Sequence, residues 1–485
     1  MATVAYKDLR EFIELAKQID SYKIIEGADW NEEIGTLTEV TCEHFQDPPL
    51  LIFDKIKDYP PGYRVVGTLI TSHKRWALAL GLPLDCTRLE TARNATRKIK
   101  ASSPIPPREV KTGPVMENIM TGDDIDLLKF PVPLFHKGDG GRYIGTGCTV
   151  INKDPESGYV NMGTYRLQVH EKNLMGLWIS PGQQGRIIAQ RYWERGESCP
   201  IVCTFGIDPL TFMSSYTIVP WGKSELDFAG GMRGEPIDVI KGPLTGLPIP
   251  AYAEIAIEGE VPPPSVEKRA EGPFGEWPGY YSGGTQGTGE DQPVIRVKAI
   301  YHRNDPILHN QTPNWPGAVH TAIDFRAGLL WDQLESAGVP GIKGVYMFNP
   351  YFVVVSIQQQ YAGHAKQAGH AVIGCAAGAR QGRYTVVVDE DIDPTKLKEV
   401  LWAIWTRADP AEDIDAIAGC WNTPLDPRMP PDKRNARDYT TGRCIIYAVR
   451  PFAWRDKFPK TSRSEPELRR RIMEKYKDMF NFPSV

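Results

Sequence analysis

The sequence predicts a mixed α/β chain with a β-rich middle, and three observations along its length carry that prediction. Up to about residue 100, runs with helical spacing alternate with strand-like runs. From there to about 310 the texture changes to short β-type runs broken by glycine and proline, the pattern of a barrel-like or sandwich-like domain. Beyond 350, strand and helix alternate again, as in an α/β layer. The expected boundaries are 1–105, 106–322 and 323–455, with a terminal docking helix in 456–485.

In order, residues 8–17 put Leu9, Phe12, Ile13 and Ala16 on one helical face, and Tyr22-Lys-Ile-Ile follows as a strand. Leu50-Leu-Ile-Phe and Arg64-Val-Val-Gly continue as strands, with a helix near 73–81. Ser103-Pro-Ile-Pro-Pro-Arg reads as a linker. The middle third then offers Gly145-Thr-Gly-Cys-Thr-Val-Ile, Tyr165-Arg-Leu-Gln-Val-His and Ile255-Ala-Ile-Glu-Gly-Glu-Val as strands. Phe352-Val-Val-Val-Ser-Ile is a strand, 361–378 a helix of small residues and Tyr384-Thr-Val-Val-Val-Asp a buried strand. A helix from Pro394 to Trp405 is expected after a cap region at Asp391 and Asp393. In the tail, Ser464-x-x-Glu467 has capping-box spacing, and Leu468, Ile472, Tyr476, Met479 and Phe480 form an apolar stripe that calls for a docking surface.

Composition narrows the function classes. The 485 residues carry 56 Lys and Arg against 60 Asp and Glu, a net charge of −4, which argues against a dedicated nucleic-acid binder. Arg469-Arg-Arg is offset by Glu465, Glu467, Glu474 and Asp478 and reads as a solvated helix face. Lys7, Asp8 and Arg10 interrupt any signal-peptide run, and no stretch reaches the length of a membrane span, so a cytoplasmic protein without membrane attachment is expected. The eight cysteines show no CxxC pair and no zinc spacing, and read as free thiols; Cys199 and Cys203 should share one face of a strand. The chain also has 45 glycines and 41 prolines, but several glycines between 138 and 147 do not form the G-x-G-x-x-G fingerprint, and no Walker A pattern is present.

Chemistry-bearing residues concentrate in three separated segments: Asn161-Met-Gly-Thr-Tyr-Arg166, Ser224-Glu-Leu-Asp-Phe-Ala-Gly-Gly231 and Glu271-Gly-Pro-Phe-Gly-Glu276. In the last, Gly-Pro-Phe-Gly forbids a regular helix and forces a turn between two carboxylates. Two acids brought together repel, so one is driven toward its protonated form unless a cation such as Arg166 stands between them. That arrangement would hold one glutamate ionised and leave the other ready to exchange a proton near neutrality. Taken alone, a turn with two solvated glutamates explains the segment as well.

Taken together, the three segments resemble the UbiD-like decarboxylases, enzymes that use prenylated flavin mononucleotide. The resemblance runs through Val66-Gly-Thr-Leu, Pro220, Ala253-Glu-Ile-x-Ile-Glu-Gly259, Val388-Asp-Glu-Asp-Ile-Asp-Pro and Leu401-Trp-Ala-Ile-Trp-Thr-Arg407, and so covers most of the chain. It implies a central split-barrel-like domain that binds flavin and metal, and a C-terminal α/β oligomerisation domain. It implies that Glu276, Arg166 and Glu271 form a proton-exchanging Glu–Arg–Glu network, with Glu276 facing the substrate carbon. Asn161 and Glu225 match ligands of a divalent cation, usually Mn2+, that ties the flavin phosphate to the protein. In Pro181-Gly-Gln-Gln-Gly-Arg186, Gln184 falls where the family has a histidine ligand, a departure that weakens the expected metal site. Ser214, Ser215 and Pro220 belong to a segment, Ser214-Ser-Tyr-Thr-Ile-Val-Pro220, resembling one that lines the flavin and supplies backbone oxygens to a monovalent cation, often K+. No lysine matches the family's phosphate ligand near 375–383, where the chain reads Cys375-Ala-Ala-Gly-Ala-Arg, and Lys366 is the substitute considered.

Trp277, Trp315 and His320 fall in segments resembling substrate-side loops, and an aromatic wall with few polar contacts suits a flat aromatic or heteroaromatic acid. His320 fits a core histidine equally well. The implied activity is reversible, non-oxidative decarboxylation, with CO2 as co-product, a flavin prenyltransferase as cofactor supplier, and a homodimer or higher homo-oligomer as the working form. A non-catalytic flavin-binding or accessory subunit of a (de)carboxylase complex is the alternative, and Gln184 is its support.

Overall fold

A computed structural model of the chain describes residues 4–217, 219–283, 289–313, 325–380, 382–462, 464–476 and 479. The first helix, Leu9–Ile19, starts where the Asp8 carboxylate accepts from the Glu11 N–H at 2.9 Å, and it buries Leu9, Phe12, Ile13 and Ala16, the predicted face. Beside it lies a four-stranded sheet in the order Tyr22–Glu26, Leu50–Asp54, Arg64–Gly67, Ile307–His309. The last of these strands arrives from far along the chain and pairs in parallel with Arg64–Gly67. Helix Arg88–Ala101 then begins with a capping box in which Thr87 and Glu90 satisfy one another's backbone N–H groups.

The middle of the chain forms a ten-stranded sheet around the 13-residue strand Glu290–His302, which pairs with Leu174–Trp178, Ile255–Val261, Lys268–Glu271 and Asn118–Thr121. Its outer strands, Tyr143–Gly145 and Val160–Gly163, do not meet, so the sheet is open rather than closed into a barrel. Period-2 alternation divides its side chains between two cores: Cys199, Ile201, Cys203 and Phe205 pack on one face, Val202 and Ile151 on the other. Cys199 and Cys203 thus share a face and are buried free thiols, as all eight cysteines are free.

The C-terminal sheet runs Ile342–Asn349, Phe352–Ile357, Tyr384–Asp389, Thr440–Ala448, Ile414–Trp421, with its three inner strands parallel and both outer strands antiparallel. Val353, Val355 and Val387 face one helical layer with Ala368 and Val372, while Val354, Val386 and Val388 face another with Val400 and Ala403. Three local expectations are corrected here. The segment expected as one helix over 361–378 divides into His364–Gly374 and Ala376–Ala379, because Cys375 is extended. The helix expected from Pro394 begins at Leu397, since Asp391 is drawn into ion pairs with Arg407 and Arg450. The tail helix, Pro466–Lys475, has Glu465 rather than Ser464 at its N-cap and no side-chain cap bond. Leu468, Ile472 and Tyr476 remain exposed on it, so among the described residues the apolar stripe finds no surface that buries it. Among the described residues no helix is long and apolar enough to cross a membrane.

Candidate active site

Between the central sheet and the two flanking regions lies a cavity of about 510 Å³, a size suited to a cofactor or drug-like ligand. Arg166, the first residue of its strand, enters one end with its side chain only 6 % exposed. Its Nε donates to Glu271 Oε1 at 2.7 Å and its Nη2 to Glu271 Oε2 at 2.6 Å, a forked pair. Its Nη1 donates to Glu276 Oε1 and, at 3.2 Å, to Ser282 Oγ. The guanidinium sits between the rings of Trp178 and Phe274, at 4.8 and 5.0 Å.

The turn between the two acids follows from the sequence. Glu271 ends the strand Lys268–Glu271, and Gly272 turns the chain at φ +88°, where a Cβ would approach the Gly283 carbonyl oxygen to 2.6 Å. Phe274–Gly275 pairs with Tyr281–Ser282, and the Glu276 N–H donates to the Tyr280 carbonyl at 2.9 Å, which places Glu276 at the head of a tight loop. The Gly275 N–H is held at 3.2 Å by Asp139 Oδ1, whose side chain is fully buried. Burial raises the pKa of Glu276 above the usual carboxyl value, Arg166 opposes the rise and Glu271 adds to it. The pKa of Asp139 is raised as well, by burial.

Asn161, Gln184, Glu225 and Ser215 line the same cavity with Arg380 and Gln183. Glu225 begins helix Glu225–Arg233; its Oε2 accepts from the Met162 N–H at 2.8 Å, and burial pushes its pKa up to about 8. Asn161 Nδ2 donates to Asn152 Oδ1 at 3.1 Å. Gln184 is engaged at both ends of its amide, donating to the Val219 carbonyl at 2.9 Å and accepting from the Tyr159 hydroxyl. With Glu225 ionised, its carboxylate and the amide oxygens of Asn161 and Gln184 would offer hard oxygen donors of the kind that suit Mn2+, while Gln184 lacks the imidazole expected at its position. The cavity also has room for a ring system, and Arg380 brings a positive charge beside the amide of Gln183.

The cavity therefore gathers Asn161, Arg166, Gln184, Ser215, Glu225, Glu276 and Trp277, with Glu271 directly behind Arg166. Trp277 lies with its ring 4.8 Å from that of Tyr351. Three expected positions are placed otherwise. Ser214 turns its hydroxyl back to the Leu210 carbonyl, satisfying its own helix, and Pro220 is exposed with Val219 lining the cavity instead. Lys366 is an exposed helix residue paired with Asp415 at 3.1 Å. Trp315 and His320 lie outside the described residues. Sequence reasoning missed Arg380, though it ends the very segment searched for a lysine, and Asp139, whose neighbouring glycines had been weighed only as a nucleotide fingerprint.

Comparison with known proteins agrees over nearly the full length. Residues 14–94, 108–316 and 324–448 match, in order, the N-terminal, Rift-related and C-terminal domains of the 3-octaprenyl-4-hydroxybenzoate carboxy-lyase (UbiD) family. A phenolic acid decarboxylase of Bacillus subtilis is 31% identical, covering 93% of this chain and 94% of its own. A pyrrole-2-carboxylic acid decarboxylase of Pseudomonas aeruginosa is 30% identical over 97% and 98%. Among solved structures, the open form of vanillic acid decarboxylase from Sedimentibacter hydroxybenzoicus superposes with a TM-score of 0.82 at 28% identity, covering 98% of this chain and 99% of that one. An evolved dimeric form of the UbiD-class enzyme HmfF from Pelotomaculum thermopropionicum, in complex with prFMN, gives 0.79 at 27% over 96% and 98%. With all three domains matched in order and close to a third of its residues shared with relatives along nearly its whole length, the chain belongs to the UbiD family of carboxy-lyases.

Proposed function

We propose that this protein releases CO2 from an aromatic or heteroaromatic acid in a reversible, non-oxidative reaction that uses prenylated FMN, with Glu276 exchanging a proton with the substrate carbon. The observation that carries the reading is the buried Glu271–Arg166–Glu276 chain, which opens on the cavity at Glu276. The activities for which the Bacillus and Pseudomonas relatives are named, and the flavin in HmfF, support it. When bound, prenylated FMN supplies a sink for the electron pair left on an sp2 carbon as CO2 departs, a role no side chain fills.

The chain's own residues supply position and a proton. Arg166 commits its fork to Glu271, so Glu276 shares the remaining amino group, Nη1, with the Ser282 hydroxyl. Its raised pKa keeps Glu276 protonated at higher pH than a solvated glutamate, ready to deliver a proton to the carbon that has lost CO2. In the carboxylation direction the proton returns to Glu276. Phe274 and Trp277 give the site flat apolar surface for a ring substrate.

Protein made together with a flavin prenyltransferase, screened over ring acids, tests the reading. Glu276→Gln is expected to keep fold and flavin and to lose both CO2 release and hydrogen–deuterium exchange at the product carbon; CO2 release at the wild-type rate would overturn it. Gln184 favours the second reading, an accessory subunit, which a flavin-loaded wild type inert toward every ring acid would establish. We further read the exposed Leu468, Ile472 and Tyr476 as the face of a self-association arm in a homo-oligomer.

A further inference from the structure

Gln168 stands two residues from Arg166 on the same face of the strand Arg166–Glu171, about 7 Å along it. It is buried, and both ends of its amide are committed. Oε1 accepts from the Gly272 N–H at 2.9 Å, and Nε2 donates to the Gly140 carbonyl at 2.9 Å. The Gly140 N–H in turn donates to the Pro273 carbonyl at 2.7 Å. These bonds close a ring through the Gln168 side chain, the start of the turn between the two acids and the Gly140 backbone. The Tyr143 hydroxyl adds a longer bond to Gln168 Oε1, at 3.3 Å.

Two glycines let the ring close. A Cβ on Gly140 would collide with the Gly272 carbonyl oxygen, and one on Gly141 would come within 2.7 Å of Gln168 Nε2. A neutral amide suits the position because it offers a donor and an acceptor at once. A carboxylate there would face the Gly140 carbonyl oxygen and add a third acid beside Glu271 and Glu276. Arg166 ties the two carboxylates together, but it makes no bond to the backbone that joins them. We infer that Gln168 is a positioning residue for the proton transfer: by tying that backbone to the Gly140 loop, it sets where the Glu276 carboxyl meets the substrate carbon. The inference rests on the decarboxylase reading given above, in which Glu276 carries the proton.

Gln168→Met and Gln168→Glu test it, in full-length, flavin-loaded protein with vanillic acid and pyrrole-2-carboxylic acid as probes. Met fills the space but makes neither bond, and a carboxyl displaced by about 1 Å should lower kcat on the order of 100-fold, with KM and flavin content little changed. Glu keeps the length of Gln. Its carboxylate cannot donate to the Gly140 carbonyl, but its protonated form can, while still accepting from the Gly272 N–H. Burial and the neighbouring Glu271 and Glu276 favour that protonated form, and Arg166 opposes it. The other titratable groups on the elements packed around the position are Asp139, Tyr143 and His170. Relative to wild type, the kcat of Gln168→Glu should therefore climb as pH falls, whereas that of Gln168→Met stays low at every pH. Circular dichroism checks the fold, and if Gln168→Met does not fold, the pH response of Gln168→Glu decides alone. Wild-type kcat in a folded Gln168→Met, even with lowered stability, would mark a merely structural role and overturn the inference, as would a Gln168→Glu variant still fully impaired at low pH. The underlying reading fails separately: an active Glu276→Gln, or a flavin-loaded wild type inert toward ring acids, overturns the decarboxylase reading and this role with it.

Discussion

Glu271 takes two N–H groups of Arg166, at 2.7 and 2.6 Å, and this leaves Glu276 to share what remains of the guanidinium with a serine. Ser282 donates to Glu276 Oε1 at 3.3 Å, and that bond pulls the pKa of Glu276 down against the upward push of burial. A donor role for Glu276 requires the protonated acid, so activity should fall as pH rises through its raised pKa. Ser282→Ala removes one downward influence and should carry the basic limb of the pH–rate profile to higher pH. A limb that stays in place, or moves to lower pH, would count against Glu276 as the group being titrated.

Asp139 acts on the same glutamate through the backbone. Its carboxylate accepts from the Gly275 N–H one residue before Glu276, and from the His136 N–H at 2.9 Å. Asp139→Ala frees the loop, and a carboxyl displaced by about 1 Å costs on the order of 100-fold in turnover. Asp139→Asn keeps an acceptor oxygen and should retain most activity. Steady-state kinetics should register the Ala variant in kcat far more than in KM; equal kcat in both variants would remove Asp139 from the positioning of Glu276.

His309 makes the fold acid-sensitive. Among the described residues neither buried ring nitrogen has a hydrogen-bond partner, and burial pushes the pKa from 6.5 down to about 3. The folded ring stays neutral while the unfolded one protonates near 6.5, so stability is intact above about pH 6.5 and declines as pH falls toward 3, by about 1.4 kcal/mol per pH unit at the steepest. His309→Leu should flatten this slope when denaturant unfolding is compared near pH 4 and near pH 7. An unchanged slope would mean that the ring is not the group responsible.

The tail helix gives a prediction about assembly. A chain ending at Pro459 lacks the exposed Leu468, Ile472 and Tyr476 and should light-scatter as a particle of fewer protomers than the full-length protein, with the fold of the remainder preserved by circular dichroism. An unchanged number of protomers would show that the stripe has no part in self-association.

The architecture was legible in the sequence because it rests on periodicity: the first helix, the Val-rich strands of the C-terminal sheet and the turn at Glu271-Gly-Pro-Phe-Gly-Glu276 each follow from local pattern. Side-chain competition was not legible. Asp391 prefers Arg407 and Arg450 to a helix cap, Ser214 prefers its own helix to the cavity, and Lys366 prefers Asp415. The partners of Asp391 and Lys366 lie at least 16 residues away and are brought near only by the fold, while Ser214 turns to a carbonyl one helical turn back. Arg380 was overlooked for a related reason, since only the fold brings it into the cavity beside Gln183.

The strand Ile307–His309 completes a sheet begun at Tyr22, pairing with Arg64–Gly67 across some 240 intervening positions. During synthesis, the ribosome must therefore deliver the central domain before the opening sheet can gain its last strand, a wait of roughly ten to fifty seconds at ordinary elongation rates. Until then the edge at Arg64–Gly67 lacks its parallel partner and stands open to pairing with another chain.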